Sequence, residues 1–78
     1  MPLARIDLIR GKSVGFRKTL GEIVYQAMTE TINVPPGDKF QIITEHAAEE
    51  LNVTDSYLGN EYTQDIVLIQ ITISDADL

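Results

Sequence analysis

The 78-residue chain contains no cysteine, which removes disulfide bridges and thiolate metal sites from the means by which so short a polypeptide could hold its fold. At this length a lone core buries only about 60% of the surface of the unfolded chain, so oligomerisation is the leading source of the missing stability. No apolar run approaches the roughly 18 residues of a membrane span. The N-terminus also lacks the basic-then-apolar layout of a secretory signal, and a cytoplasmic protein is expected. On that footing the sequon Asn52-Val53-Thr54 is a chance match, because glycosylation needs a secreted chain. Basic residues are missing from the second half: Arg5, Arg10, Lys12, Arg17, Lys18 and Lys39 are all six, whereas eight acids and no base occur from Phe40 onward. With a net charge of −6, binding to a phosphate backbone is disfavoured and no nucleic-acid partner is expected. A small anionic ligand would have to be held by the first half or by another chain. One histidine and scattered acids make no metal-ligand spacing. Neither a glycine-rich phosphate loop nor a Ser or Cys nucleophile constellation is present, so neither metal nor cofactor is expected.

What is present is a well-patterned small domain, 44% apolar by composition, and disorder is not expected. Pro2 to Ile9 alternates, with Ala4, Ile6 and Leu8 on a fully apolar face and Leu3, Arg5, Asp7 and Ile9 on the other, which predicts a strand. Ser13 is a plausible N-cap for the next element. From Val14 to about Ile32, the residues Phe16, Leu20, Ile23, Val24, Ala27, Met28 and Ile32 step by three and four, predicting an amphipathic helix with one face for a sheet. Asn33-Val34-Pro35-Pro36-Gly37-Asp38 stops that helix. Lys39 to Thr44 predicts a second strand, giving a βαβ crossover with parallel strands. Glu45 to Gln64 is polar and irregular, with a turn signal at Leu58-Gly59-Asn60, and fits either a hairpin or a short helical turn. Asp65 to Ser74 is the strongest strand pattern, apolar on both faces from Ile66 to Ile69. Such a strand wants cover on both faces. One helix cannot supply it, so either another chain does or a second βαβ unit has been truncated after its first strand. The class expected is α+β, one domain over residues 1–78.

Pro2 is the chemically unusual residue. Proline is tolerated at the head of a strand, where its nitrogen owes no ladder hydrogen bond. If Met1 is removed, as a small second residue favours, that nitrogen becomes a free secondary amine. An α-amino group has a reference pKa of about 8, and burial or a nearby cation lowers such a value, so the amine could act as a base near neutral pH. While Met1 stays attached, the nitrogen is an amide and can do neither base nor nucleophile chemistry.

Several segments, in order along nearly the whole chain, resemble the tautomerase superfamily, most closely its malonate semialdehyde decarboxylase-like branch. They are Met1-Pro2-Leu3, Asp7-Leu8-Ile9-Arg10-Gly11-Lys12, Val34-Pro35-Pro36-Gly37-Asp38-Lys39-Phe40-Gln41, Thr44-Glu45-His46, Tyr57-Leu58-Gly59 and Val67-Leu68-Ile69-Gln70-Ile71-Thr72. The resemblance implies βαβ units assembled as homotrimers or hexamers, a small-molecule substrate, no cofactor, and Pro2 as general base in keto–enol isomerisation. It implies that Asp38 assists Pro2 or positions a water; by its own chemistry Asp38 is equally a turn residue. Lys12 occupies a position where relatives carry a carboxylate-binding arginine, and offers charge without the bidentate fork. Tyr57 would close the site or present a hydroxyl, although packing is its simpler role. His46 falls in the family's Thr-Glu-His stretch and otherwise reads as a surface residue after a strand. Arg5 and Asp7 share a strand face and could pair with each other or across an interface. The branch places carboxylate-holding arginines where this chain has Ser74, Asp75, Ala76 and Asp77, so decarboxylation is not the activity expected.

Overall fold

The computed structural model describes residues 2–74; Met1, Asp75, Ala76, Asp77 and Leu78 lie outside the described residues, and with them the questions of the initiator and of the C-terminal acids. The alternation at the N-terminus produces strand β1, Leu3–Ile9. Ala4, Ile6 and Leu8 are at most 1% exposed, as an apolar face of period two should be when an element packs on it. That element is helix α1, Val14–Thr31, which starts where Ser13 caps it: the Ser13 hydroxyl accepts from the Phe16 amide at 3.0 Å. The helix ends as Ile32 leaves helical geometry and Asn33 takes a left-handed φ of 55°, ahead of the two prolines.

Strand β2 is Gln41–His46, two residues later than Lys39 to Thr44. The first residues after the turn are still approaching β1, the Ala4 amide donating to the Phe40 carbonyl at 3.0 Å. At the far end pairing persists because β1 extends to Ile9 and the Arg10 amide donates to the His46 carbonyl. β1 and β2 are parallel, with Ile6 opposite Ile43 and Ile9 opposite His46, which completes the βαβ crossover.

The irregular middle contains both of the alternatives expected for it. A short 3-10 turn spans Ala48–Glu50, and a small hairpin pairs β3, Ser56–Tyr57, with β4, Asn60–Glu61. Leu58 and Gly59 turn the hairpin with φ of 52° and 83°, the two positive values that a tight two-residue connection demands and that leucine adopts reluctantly. Strand β5, Val67–Thr72, then runs antiparallel to β1, with Ile69 opposite Ile6, so the three-stranded sheet has the order β2-β1-β5.

Directly opposed residues share a face of the sheet. The face under α1 therefore carries Gln41, Ile43 and Glu45 from β2, Ala4, Ile6 and Leu8 from β1, and Val67, Ile69 and Ile71 from β5. The core gathers Ala4, Ile6, Val24, Met28 and Val34, with Leu20, Tyr25, Ile32, Ile43 and Val67 packed around it. It does not reach the apolar stripe's other flank: Phe16 and Ile23 stay exposed, as do Ile69 and Ile71. The expected single sheet-facing stripe of α1 is thus only half buried, because the helix lies over β1 and β2 and, among the described residues, no element lies over β5. The Cα radius of gyration, 14.0 Å, exceeds the roughly 11.5 Å of a compact domain of this length.

Candidate active site

Two ends of the sheet hold the residues of interest. Pro2 lies just ahead of β1 and is buried. Because β1 and β2 are parallel, the loop leading into β2 comes to the same end. Val34 anchors that loop by burying its side chain in the core. Pro35 to Asp38 then forms a tight turn, the Asp38 amide donating to the Pro35 carbonyl at 3.0 Å. Pro36 presets the first central residue, and Gly37 supplies the φ of 84° needed at the second. Asp38 is half-buried, and the register of β1 and β2, carried back from Ala4 opposite Gln41, brings its turn alongside Pro2. β5 returns to this end through Thr72, opposite Leu3.

Lys12 lies at the opposite end, beyond the C-terminus of β1. Its ammonium forms an ion pair with Asp65 and stands 5.3 Å from the centre of the Phe16 ring. The Lys12 carbonyl accepts from the Arg17 guanidinium at 2.9 Å, and that guanidinium also pairs with Glu45 at 3.1 Å. A cavity of about 190 Å³ opens here between Ile9, Arg10, Gly11, Lys12, Gln64 and Asp65. Tyr57 sits on the hairpin that follows β2 and is 61% exposed. β1 has seven residues at roughly 3.3 Å each, so about 20 Å of strand separates Pro2 from Lys12. Within one chain the Asp38 turn lies at the Pro2 end of the sheet, and Lys12 lies at the other.

The pairing left open for Asp7 is also resolved. Its carboxylate lies 2.7 Å from His46 Nε2, both groups being partly buried on the face away from α1. His46 is the last residue of β2, not a surface residue after it, and Arg5 is exposed. A single sequence offers alternation for Asp7 but no register between β1 and β2, and it is the register that carries His46 to it. Among the described residues no three metal-ligating side chains converge, and no helix is long and apolar enough to cross a membrane.

With this geometry the chain is similar to known proteins over most of its length. It is 33% identical over 72 residues to Probable tautomerase YrdN and 34% identical over 73 residues to Probable tautomerase YusQ, both of Bacillus subtilis (strain 168). Those matches cover 92% and 94% of this chain but only 56% and 58% of the relatives, so the chain spans little more than half the length of the curated relatives it matches. Among solved structures it superposes on FG41 malonate semialdehyde decarboxylase inhibited by 3-bromopropiolate, with a TM-score of 0.77 and 33% identity. A second malonate semialdehyde decarboxylase, described with decarboxylase and hydratase activities, gives a TM-score of 0.80 and 28% identity. Each superposition covers 86% of this chain and about half of the other, 51% and 52% respectively. The family described as tautomerase enzyme matches residues 38–76, half of the chain, from the Asp38 turn through β5. By that match, and by a parallel βαβ unit like that of the solved relatives, the chain belongs to the tautomerase enzyme family.

Proposed function

We propose that the chain is a cofactor-independent tautomerase whose Pro2 amine, freed by removal of Met1, acts as general base on small keto–enol carboxylates. The observation that carries this reading is the position of Pro2: buried, at the head of the central strand, at the same end of the sheet as the Asp38 turn. A nitrogen held this way has little freedom to lose when substrate binds. In ketonisation it takes the proton from the enol hydroxyl and returns it to the neighbouring carbon, so nothing is consumed and no cofactor is called for. Asp38 supports the amine or orients a water beside it. Since Lys12 lies about 20 Å from Pro2 along β1, a carboxylate at Pro2 would meet the Lys12 of another copy, and Tyr57, exposed on its hairpin, would be offered to a neighbouring copy's site. Homotrimers or hexamers are therefore part of this proposal.

The test uses protein verified by mass to begin at Pro2, with the enol of phenylpyruvate as substrate. Converting the amine to an amide by one added N-terminal residue is expected to lower kcat/KM by about 10²–10⁴-fold, the usual worth of a general base. Pro2→Ala, which leaves a less constrained amine, is expected to fall between. Equal rates in all three remove Pro2 from the mechanism. A non-catalytic assembly subunit is the second reading, favoured by the bare apolar residues Ile69 and Ile71 of β5. Assembly with no turnover in any form would select it.

A further inference from the structure

From the contacts of α1 with the Pro35–Asp38 turn we infer that Tyr25 is a positioning residue for Asp38. The Tyr25 hydroxyl accepts a hydrogen bond from the Gly37 amide at 3.0 Å, across twelve residues of chain. That amide lies in the turn whose closure depends on Gly37 at a φ of 84°, one residue before Asp38. A second strap runs beside the first. Lys39, the residue after Asp38, forms an ion pair with Glu22 one helical turn before Tyr25, and its ammonium stands 5.7 Å from the centre of the Tyr25 ring.

The two residues flanking Asp38 are thus tied to one flank of α1, while Val34 is buried in the core on one side and Phe40 is bonded to β1 on the other. A four-residue turn crossing from helix to strand would otherwise be free to rock about the Pro35–Asp38 hydrogen bond. With Gly37 held by a phenol whose own ring is packed on the core, the Asp38 carboxylate keeps one direction relative to the head of β1. The hydroxyl of Tyr25 is engaged by the Gly37 amide, so its effect on Asp38 passes through the turn. Phenylalanine at this position would keep the ring and the ammonium contact and lose only the acceptor.

This inference rests on the reading of Pro2 and Asp38 above, and the experiment separates the two. Tyr25→Phe, Asp38→Asn and the double variant are assayed in protein beginning at Pro2, with the phenylpyruvate enol. Tyr25→Phe is expected to lower kcat about three- to ten-fold, the worth of one hydrogen bond, with KM unchanged. In the Asp38→Asn background the same change is expected to do nothing further, because the group being positioned is no longer a carboxylate. An equal loss in both backgrounds, or no loss, overturns the inference. Amide hydrogen exchange supplies a readout independent of turnover. Gly37 is expected to exchange about ten-fold faster in Tyr25→Phe while the β1 amides are unchanged. Should the protein show no turnover, the Pro2 reading fails by itself, and unchanged exchange at Gly37 would then overturn the strap as well.

Discussion

The two sides of β1 differ more than their sequences do. On one side β2 carries Ile42 and Ile43 among polar neighbours, and on the other β5 carries Val67, Leu68, Ile69 and Ile71, a richer apolar strand by any count. The poorer strand is the better covered one. α1 closes over β2 and β1, with Gly21 placed so near β2 that the Gln41 side-chain Nε2 donates to its carbonyl at 2.8 Å. β5 has no helix above it, and from Leu68 onward every described residue is exposed. The lesson is that apolar content sets how much burial a strand needs, while the connection that precedes it decides whether burial is provided. β2 arrives by way of a crossover helix and brings its own cover. β5 arrives from a hairpin and brings none.

Matched substitutions sharpen this contrast. Ile6 and Ile69 face each other across β1 and β5, the first fully buried and the second 49% exposed. Ile6→Ala is expected to cost about 2–5 kcal/mol in urea unfolding, enough to unfold much of a chain this short. Ile69→Ala in dilute protein should cost less than about 1 kcal/mol; a cost as large as that of Ile6→Ala would mean that β5 is covered in solution. On the helix the same logic separates Met28, which is 5% exposed, from Ile23 at 61%. Met28→Ala is expected to lose about 2–4 kcal/mol and Ile23→Ala under about 0.5 kcal/mol, read from the urea midpoint at constant slope.

The face away from α1 should respond less. Asp7→Asn weakens the contact to His46 without removing its shape, and a loss of about 1 kcal/mol is expected for a hydrogen bond that is only partly buried. A loss of 3 kcal/mol or more would place the pair in a buried interface between copies, since breaking a buried pair costs roughly that much. The smallest effect on folding belongs to Ile69→Lys combined with Ile71→Lys, which should leave the far-UV circular dichroism unchanged. Light scattering should nonetheless report a lower mass for this variant if copies of the chain meet at β5. An unchanged oligomer would move the interface to another surface.

Much of the fold was legible in advance because short-range physics governs it. Ser13 as cap, the three- and four-residue spacing along α1, the prolines that end it, and the two strands of the βαβ crossover are all decided by neighbours within a turn or two. The two-residue displacement of β2 was not legible, since its start depends on where Phe40 first meets Ala4 and its end on the length of β1. The hairpin was visible only as the Leu58-Gly59 turn, its strands being two residues each. For the candidate site, Pro2 was nominated by its own chemistry and Asp38, Lys12 and Tyr57 by the resemblance to the tautomerase superfamily, and neither could group them in space. Tyr25 gave no signal as a positioning residue, because a tyrosine on the apolar flank of a helix looks like packing until its hydroxyl is seen at Gly37.

Local pattern therefore settled the class of this protein: an α+β chain with one amphipathic helix, a parallel pair of strands, and a proline at the head of the first. Tertiary structure alone decided which end of the sheet each polar group occupies, that Asp7 finds His46, and that β5 lies antiparallel to β1 with its residues from Leu68 to Thr72 exposed. The physical reason is range. Alternation, capping and turn chemistry act over a few residues, whereas strand direction and register are fixed by contacts between segments dozens of residues apart, and those directions put Lys12 at one end of the sheet and the Asp38 turn at the other, with Pro2.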